Sequence, residues 1–189
     1  IMGLDEVGRG CLAGPVVAAG VILSPHSEIP GINDSKQLSL PERERLSEKI
    51  REEALCWYIG SCNTGEIADL NILWASLRAM EKCVENAEMT PDYLLVDGNR
   101  YVDTLIPHTC VVKGDAKSAS IAAASILAKV YRDRHMISLH NEYPDYGWQT
   151  NVGYPTKQHY TALKEHGYSP HHRKTFNLKT NKKIENWKN

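Results

Sequence analysis

No stretch of this 189-residue sequence is long and apolar enough to span a bilayer: the longest apolar run, Val16 to Leu23, has eight residues where a spanning helix needs about 20. No charged-then-apolar leader with a small-residue cleavage site opens it, so neither secretion nor a membrane partner is expected. Cysteine is sparse and odd in number. Cys11, Cys56, Cys62, Cys83 and Cys110 form no Cys-x-x-Cys pair, which argues against a disulfide framework and a zinc ribbon and points to a reducing, cytoplasmic setting. Internal repeats, low-complexity runs and Gly/Ser- or Pro-rich linkers are also missing, so the chain reads as one domain with a C-terminal helical appendage.

What is present is ordinary globular composition, 42% hydrophobic and 24% charged, far from the signature of disorder. The net charge of -1 conceals an asymmetry, because residues 151–189 carry eight Lys/Arg against two Asp/Glu while the body is acidic. Such a basic end is either a solvated surface or a contact for a polyanion. Short apolar runs at Met2–Val7, Val16–Leu23, Leu55–Ser61, Tyr93–Val96 and Thr109–Val112, bounded by Gly, Pro or Asp, predict five strands, the first two joined as a hairpin. Ser39-Leu40-Pro41-Glu42 has capping-box spacing and opens a charged helix to about Glu53. Leu73, Leu77, Met80 and Val84 recur at helical spacing and predict a buried stripe. An alanine-rich helix is expected from Asp115 to about His140, and Thr156 caps another that ends near Gly167. Strands followed by alternating strands and helices imply a mixed α/β sheet covered by helices, whose ligands favour the crevice beyond the strand ends.

Acidic residues stand at three such ends. Asp5-Glu6 closes the first strand, Asp97 follows Tyr93-Leu94-Leu95-Val96, and Asp115 follows the strand ending at Val112. Singly, each has a plain explanation in turn chemistry or helix capping. Jointly they exceed what turns require, because Asp is depleted in strands and costly near a core unless paired or bound to a cation. Carboxylates without Cys or His select Mg²⁺ or Mn²⁺ over Zn²⁺. Four of them can hold two ions roughly 4 Å apart, an arrangement suited to phosphodiester displacement. Adjacent strand residues point to opposite faces, so the first strand is expected to end or distort at Glu6. Asp133 competes with Asp115 for a place, but on one continuous helix the two would lie roughly 27 Å apart. Flanked by Arg132 and Arg134, Asp133 reads as a surface or salt-bridged residue.

These residues resemble the ribonuclease H type 2 family, the bacterial ribonuclease HII. Gly3-Leu4-Asp5-Glu6-Val7-Gly8-Arg9-Gly10 and Leu12-Ala13-Gly14-Pro15-Val16-Val17-Ala18-Ala19 are similar to its opening signature. Asn33-Asp34-Ser35-Lys36-Gln37-Leu38, Val96-Asp97-Gly98-Asn99, Lys113-Gly114-Asp115-Ala116-Lys117-Ser118, the run Ala122–Asp133 and Gly153-Tyr154-Pro155-Thr156 match later blocks in order, over about residues 2–176. The resemblance implies a ribonuclease H-like mixed five-stranded sheet flanked by helices, with residues 1–150 as the catalytic domain. Residues 151–189 are implied to be a helical, basic substrate-binding segment of the same domain. Asp5, Glu6, Asp97 and Asp115 become a catalytic, metal-binding quartet for Mg²⁺ or Mn²⁺, and Asp115 is preferred over Asp133.

By the same resemblance, the Gly8-Arg9-Gly10 turn reads the 2′-hydroxyl of a ribonucleotide at an RNA–DNA junction, Tyr154 packs on the neighbouring deoxyribose, and Lys36 contacts phosphate. The residue chemistry is compatible: glycines admit close backbone approach, Arg9 offers fork-shaped donors, and the 2′-hydroxyl distinguishes RNA from DNA. The implied activity is an endonuclease on RNA/DNA hybrids and on duplex DNA containing ribonucleotides. It cuts 5′ of the ribonucleotide to leave 3′-hydroxyl and 5′-phosphate ends, and removes misincorporated ribonucleotides and RNA primers; a monomer is expected. Two alternatives remain open. The sister ribonuclease HIII shares the carboxylates but carries an extra N-terminal domain and a Gly-Lys-Gly-like turn where this chain has Arg9. A catalytically silent hybrid-binding module would use the basic tail, for which no catalytic role is assigned. His166, His171 and His172 lack a Cys or a further well-spaced ligand, so the turn they form with Arg173-Lys174 reads as surface or phosphate contact rather than zinc.

Overall fold

The computed structural model describes residues 1–32 and 38–178. Strand β1 (Met2–Val7) pairs antiparallel with β2 (Val16–Ile22), which pairs antiparallel with β3 (Cys56–Cys62). On its other side β1 pairs parallel with β4 (Leu94–Asp97), and β4 pairs parallel with β5 (His108–Val111), giving the order β3-β2-β1-β4-β5. All five expected strands form, each within one residue of its expected ends. β2 is buried along its whole length because it lies inside the sheet with both faces covered. Val16 and Ala18 join one apolar cluster, and Val17, Ala19 and Val21 join another.

Helix α1 (Leu40–Glu53) begins at the expected capping box, where the Glu42 carboxylate accepts the Ser39 backbone N–H at 2.9 Å. Helix α2 (Thr64–Glu85) covers one face of the sheet with Leu77 and Met80 fully buried and Leu73 and Val84 partly so. It is broken at Asn71, which has φ 63°. There the side-chain oxygen accepts the N–H of Leu73 at 3.0 Å and of Trp74 at 3.3 Å and restarts the helix, a break the periodicity does not announce.

Helix α3 (Ala119–Glu142) covers the opposite face, with α1 packed over it. Its small residues let it lie close: a Cβ on Gly3 of β1 would stand 2.3 Å from the Ser120 carbonyl carbon. The expected start at Asp115 is corrected. Lys113 adopts a left-handed conformation at φ 57°, one 3₁₀ turn spans Gly114–Ala116, and α3 begins only after Ser118, whose hydroxyl accepts the Ile121 N–H. Beyond α3 come α4 (Trp148–Asn151) and α5 (Lys157–His166), the latter capped by Thr156 and ended at Gly167 as the sequence suggests. A third apolar cluster joins Leu12 and Ala13 of the β1–β2 loop to Met136, Tyr146, Trp148 and Leu163, and an isolated bridge pairs Ala13 with His172. Among the described residues, no helix is long and apolar enough to cross a membrane.

Candidate active site

The β1–β4 ladder ends at Leu4↔Val96, so Asp5 and Asp97 stand one residue beyond it on the two central strands. Asp5 is only 7% exposed. Burial first, then the charges of Glu6 and Asp97, push its carboxyl well above the usual carboxylate range, against hydrogen bonds from Ser125 of α3 and from the Glu6 backbone N–H at 2.8 Å. Burial also raises Glu6, opposed by Arg9 at 3.3 Å and reinforced by Asp97. Asp97 thus presses on both neighbours. The expected distortion of β1 at Glu6 is corrected: the strand stays paired with β2 through Val7↔Val17. A regular strand suffices, because Asp97 at the sheet end acts on Asp5 and Glu6 alike.

Asp97 is tied to the fourth acid through the backbone. Its Oδ1 accepts the Gly114 N–H at 2.7 Å, and Asp115, 7% exposed, is the next residue in that 3₁₀ turn. The left-handed Lys113 turns the chain back toward β4 and sets this contact. The donors are carboxylate oxygens alone, which fits a hard divalent cation whose charge would relieve their mutual repulsion. Among the described residues, no three His, Cys, Asp or Glu side chains close around a single ion position as they stand. The acids are neighbours rather than a closed cage. Asp133 lies apart from them, buried and paired with Lys129 at 2.8 Å, which agrees with the salt-bridged role and not with the surface one.

Beside the acids lies a cleft of about 300 Å³ lined by Glu6, Val7, Arg43, Ser125, Lys129 and Tyr154. A smaller hollow, about 100 Å³, opens on the other side of Glu6 and includes Arg9, Asp97 and Asn99. Tyr154 therefore looks across the cleft at Glu6, its ring 5.5 Å from the Lys129 ammonium. The Gly8-Arg9-Gly10 turn leaves β1 here. Gly8 has φ +90°, and a side chain on it would run into the Arg132 guanidinium, whereas Gly10 faces open space. Lys36 lies outside the described residues.

Two residues that the sequence reading left on the surface or unassigned shape this turn from beneath. Arg132 and Arg173 are 0% and 2% exposed. Arg173 donates to the carbonyls of Gly8 at 2.6 Å, Arg9 at 2.9 Å and Gly14 at 3.0 Å. Arg132 donates to Ala13 at 2.9 Å, Pro15 at 2.9 Å and Val152 at 2.7 Å. The reading of the His171–Lys174 turn as surface or phosphate contact is thus corrected for His172 and Arg173, both buried. A charged residue whose partners are backbone carbonyls leaves no mark in the local pattern. The only available hint was that Gly8-Arg9-Gly10 and Gly14-Pro15 form a loop whose carbonyls need donors.

A five-stranded mixed sheet with carboxylates gathered at the ends of its central strands defines the ribonuclease H-like class of nucleases. The ribonuclease H2 of Pyrococcus horikoshii has this fold, with a TM-score of 0.78, 26% identity, and coverage of 93% of this chain and 92% of its own. The profile described as Ribonuclease HII matches residues 2–179. A ribonuclease HII of Salinibacter ruber is 55% identical over 182 residues, 94% of this chain and 91% of its own length. The chain belongs to the ribonuclease HII family and is a ribonuclease H type 2 hydrolase. Bst-RNase HIII, solved in complex with Mn²⁺, shares the fold at a TM-score of 0.64 with 20% identity, covering 88% of this chain and 62% of its own. The sister family is the more distant match.

Proposed function

We propose that this chain cuts the phosphodiester on the 5′ side of a ribonucleotide in RNA/DNA hybrids and in duplex DNA, leaving 3′-hydroxyl and 5′-phosphate ends. The observation that carries this reading is the juxtaposition of Asp5, Glu6 and Asp97 with the Gly8-Arg9-Gly10 turn on one side and Tyr154 across the cleft. Cutting and ribose reading then occur within one nucleotide of each other. A divalent cation, Mg²⁺ or Mn²⁺, held by Asp5, Glu6, Asp97 and Asp115, would supply charge neutralisation at the breaking phosphodiester.

Each remaining residue has its own part. Arg9 is half-exposed and loosely held by Glu6, free to swing to a backbone phosphate. Gly10, with nothing near it, admits a sugar edge. Tyr154 presents a flat ring to the deoxyribose that follows the ribonucleotide, and Lys129 and Arg43 make the cleft wall cationic toward the strand. Lys36 takes a phosphate by resemblance. Residues 1–150 form the catalytic part and residues 151–189 a substrate-binding segment of the same domain. The protein acts as a monomer in the cytoplasm, removing misincorporated ribonucleotides and RNA primers.

The test is incubation of a labelled DNA duplex holding one ribonucleotide, with product ends mapped at nucleotide resolution. One cut 5′ of the ribonucleotide, abolished by EDTA and restored by Mg²⁺ or Mn²⁺, is expected. Asp97→Asn should slow it by about a thousandfold or more while the melting temperature holds. Wild-type rates from that variant would refute the quartet, and binding without any turnover would leave the hybrid-binding alternative.

A further inference from the structure

The Gly8-Arg9-Gly10 turn does not hold its own shape. Two of its carbonyls, those of Gly8 and Arg9, point at Arg173, made 165 and 164 residues later. In a trans peptide the N–H lies opposite the C=O, so turning these carbonyls inward turns the amide N–H groups of Arg9 and Gly10 outward. A side chain on Gly10 would meet nothing within 4 Å, so the space beside this turn is open. Arg132 fixes the far end of the same loop through Ala13 and Pro15. A guanidinium is well suited to this task, because its rigid fork can satisfy several carbonyls in one plane. Burying two of them is costly, and their carbonyl partners are concentrated on this loop.

A second line of contacts runs from Arg173 to Tyr154. Its neighbour His172 accepts the Ser169 backbone N–H at Nδ1, 2.9 Å, so the ring proton of neutral His172 sits on Nε2. Nε2 donates to His159 Nε2 at 2.9 Å, which also accepts the Trp148 indole N–H at 3.2 Å. His159 therefore carries its own proton on Nδ1 and donates it to the Tyr154 carbonyl at 3.0 Å. Every donor and acceptor in this chain has one possible sense. Both rings are kept neutral by burial.

We propose that Arg173, with His172 and His159 behind it, is a positioning residue for ribose selection: one buried network holds the Gly8-Arg9-Gly10 turn and the Tyr154 backbone at a fixed spacing, and that spacing sets the preference for a duplex carrying a ribonucleotide over an all-DNA duplex. The proposal rests on the reading that the turn and Tyr154 meet the RNA–DNA junction. Arg173 touches no substrate itself; it acts through the turn.

The test uses the full chain with Asp97→Asn as a non-cleaving parent. Dissociation constants are measured for two duplexes of identical sequence, one with a single ribonucleotide and one all DNA. Adding Arg173→Lys, which keeps the charge but loses the fork, is expected to shrink the ratio of the two constants by about tenfold or more while all-DNA binding stays within about twofold. A merely structural role would lower the active fraction for both duplexes and leave the ratio alone. His172→Phe, which cuts the line to Tyr154 without touching the turn carbonyls, should shrink the ratio as well and carries the test should Arg173→Lys not fold. An unchanged ratio in a folded variant overturns the proposal. If the Asp97→Asn parent itself shows no preference for the ribonucleotide, the ribose-reading part of the proposed function fails, and the positioning role with it.

Discussion

Asp5 is held where an ionised carboxylate is least welcome, and this makes it a liability to the fold without a cation. Its raised folded-state pKa means the folded protein keeps a proton that the unfolded chain releases. The stabilising contribution is complete below the ordinary carboxyl value of 3.8 and is lost as pH rises through the folded value. Asp5→Asn keeps an acceptor for the Ser125 hydroxyl and the Glu6 N–H but removes the charge. It is expected to raise stability at pH 8 in EDTA by about 1 kcal/mol, with little gain near pH 4 and no detectable cleavage at either, as read by thermal melting and the duplex assay. His172 works in the opposite sense. Burial lowers its pKa to about 3, so the folded state holds fewer protons than the unfolded chain below the ordinary imidazole value of 6.5. Its contribution is complete above 6.5 and drains as pH falls toward 3, at no more than about 1.4 kcal/mol per pH unit. Urea midpoints between pH 7 and pH 4 should fall more steeply for the wild type than for His172→Phe. The same slope in both would exclude His172 as the group responsible.

At the level of strands and helices, the close seat of α3 on β1 aligns the site, because it brings Ser125 to Asp5. Gly3→Ala would drive a methyl group into the Ser120 backbone, which cannot yield as a flexible side chain can. A loss of at least about 3 kcal/mol in urea unfolding is expected, with cleavage falling further than stability as Ser125 moves off Asp5. The strands were readable because each apolar run is short and punctuated by Gly, Pro or Asp, and the three acid-bearing strand ends followed from that reading. The start of α3 was not, since alanine-rich sequence continues helically in either direction on paper and only the left-handed Lys113 delays it. Nor was the break at Asn71, where one side chain caps the helix just ahead of the stripe that starts at Leu73 and the spacing of that stripe gives no sign of it. Arg132 and Arg173 were least readable of all. Sequence patterns assume that arginine seeks water or a carboxylate, whereas these two seek carbonyls 119 and 165 residues away.

Across the whole molecule, the chain closes on itself: the segment after α5 returns to the loop after β1, through the Ala13–His172 bridge, the Gly14 N–H to His171 carbonyl bond at 2.8 Å and the Arg173 fork. Removing residues from 168 onward strips three loop carbonyls of their donor and His159 of its partner. The truncated protein is expected to lose about 3–5 kcal/mol and to become cleavable by protease within residues 8–15, checked by melting and by mass mapping of the fragments. The same closure fixes a timetable on the ribosome. At roughly 5–20 residues per second, the fork reaches the exit about 8–33 s after the turn it must grip, so every copy spends that interval with the Gly8 and Arg9 carbonyls lacking their donor. The turn of a nascent chain therefore takes its fixed shape only once Arg173 has been made.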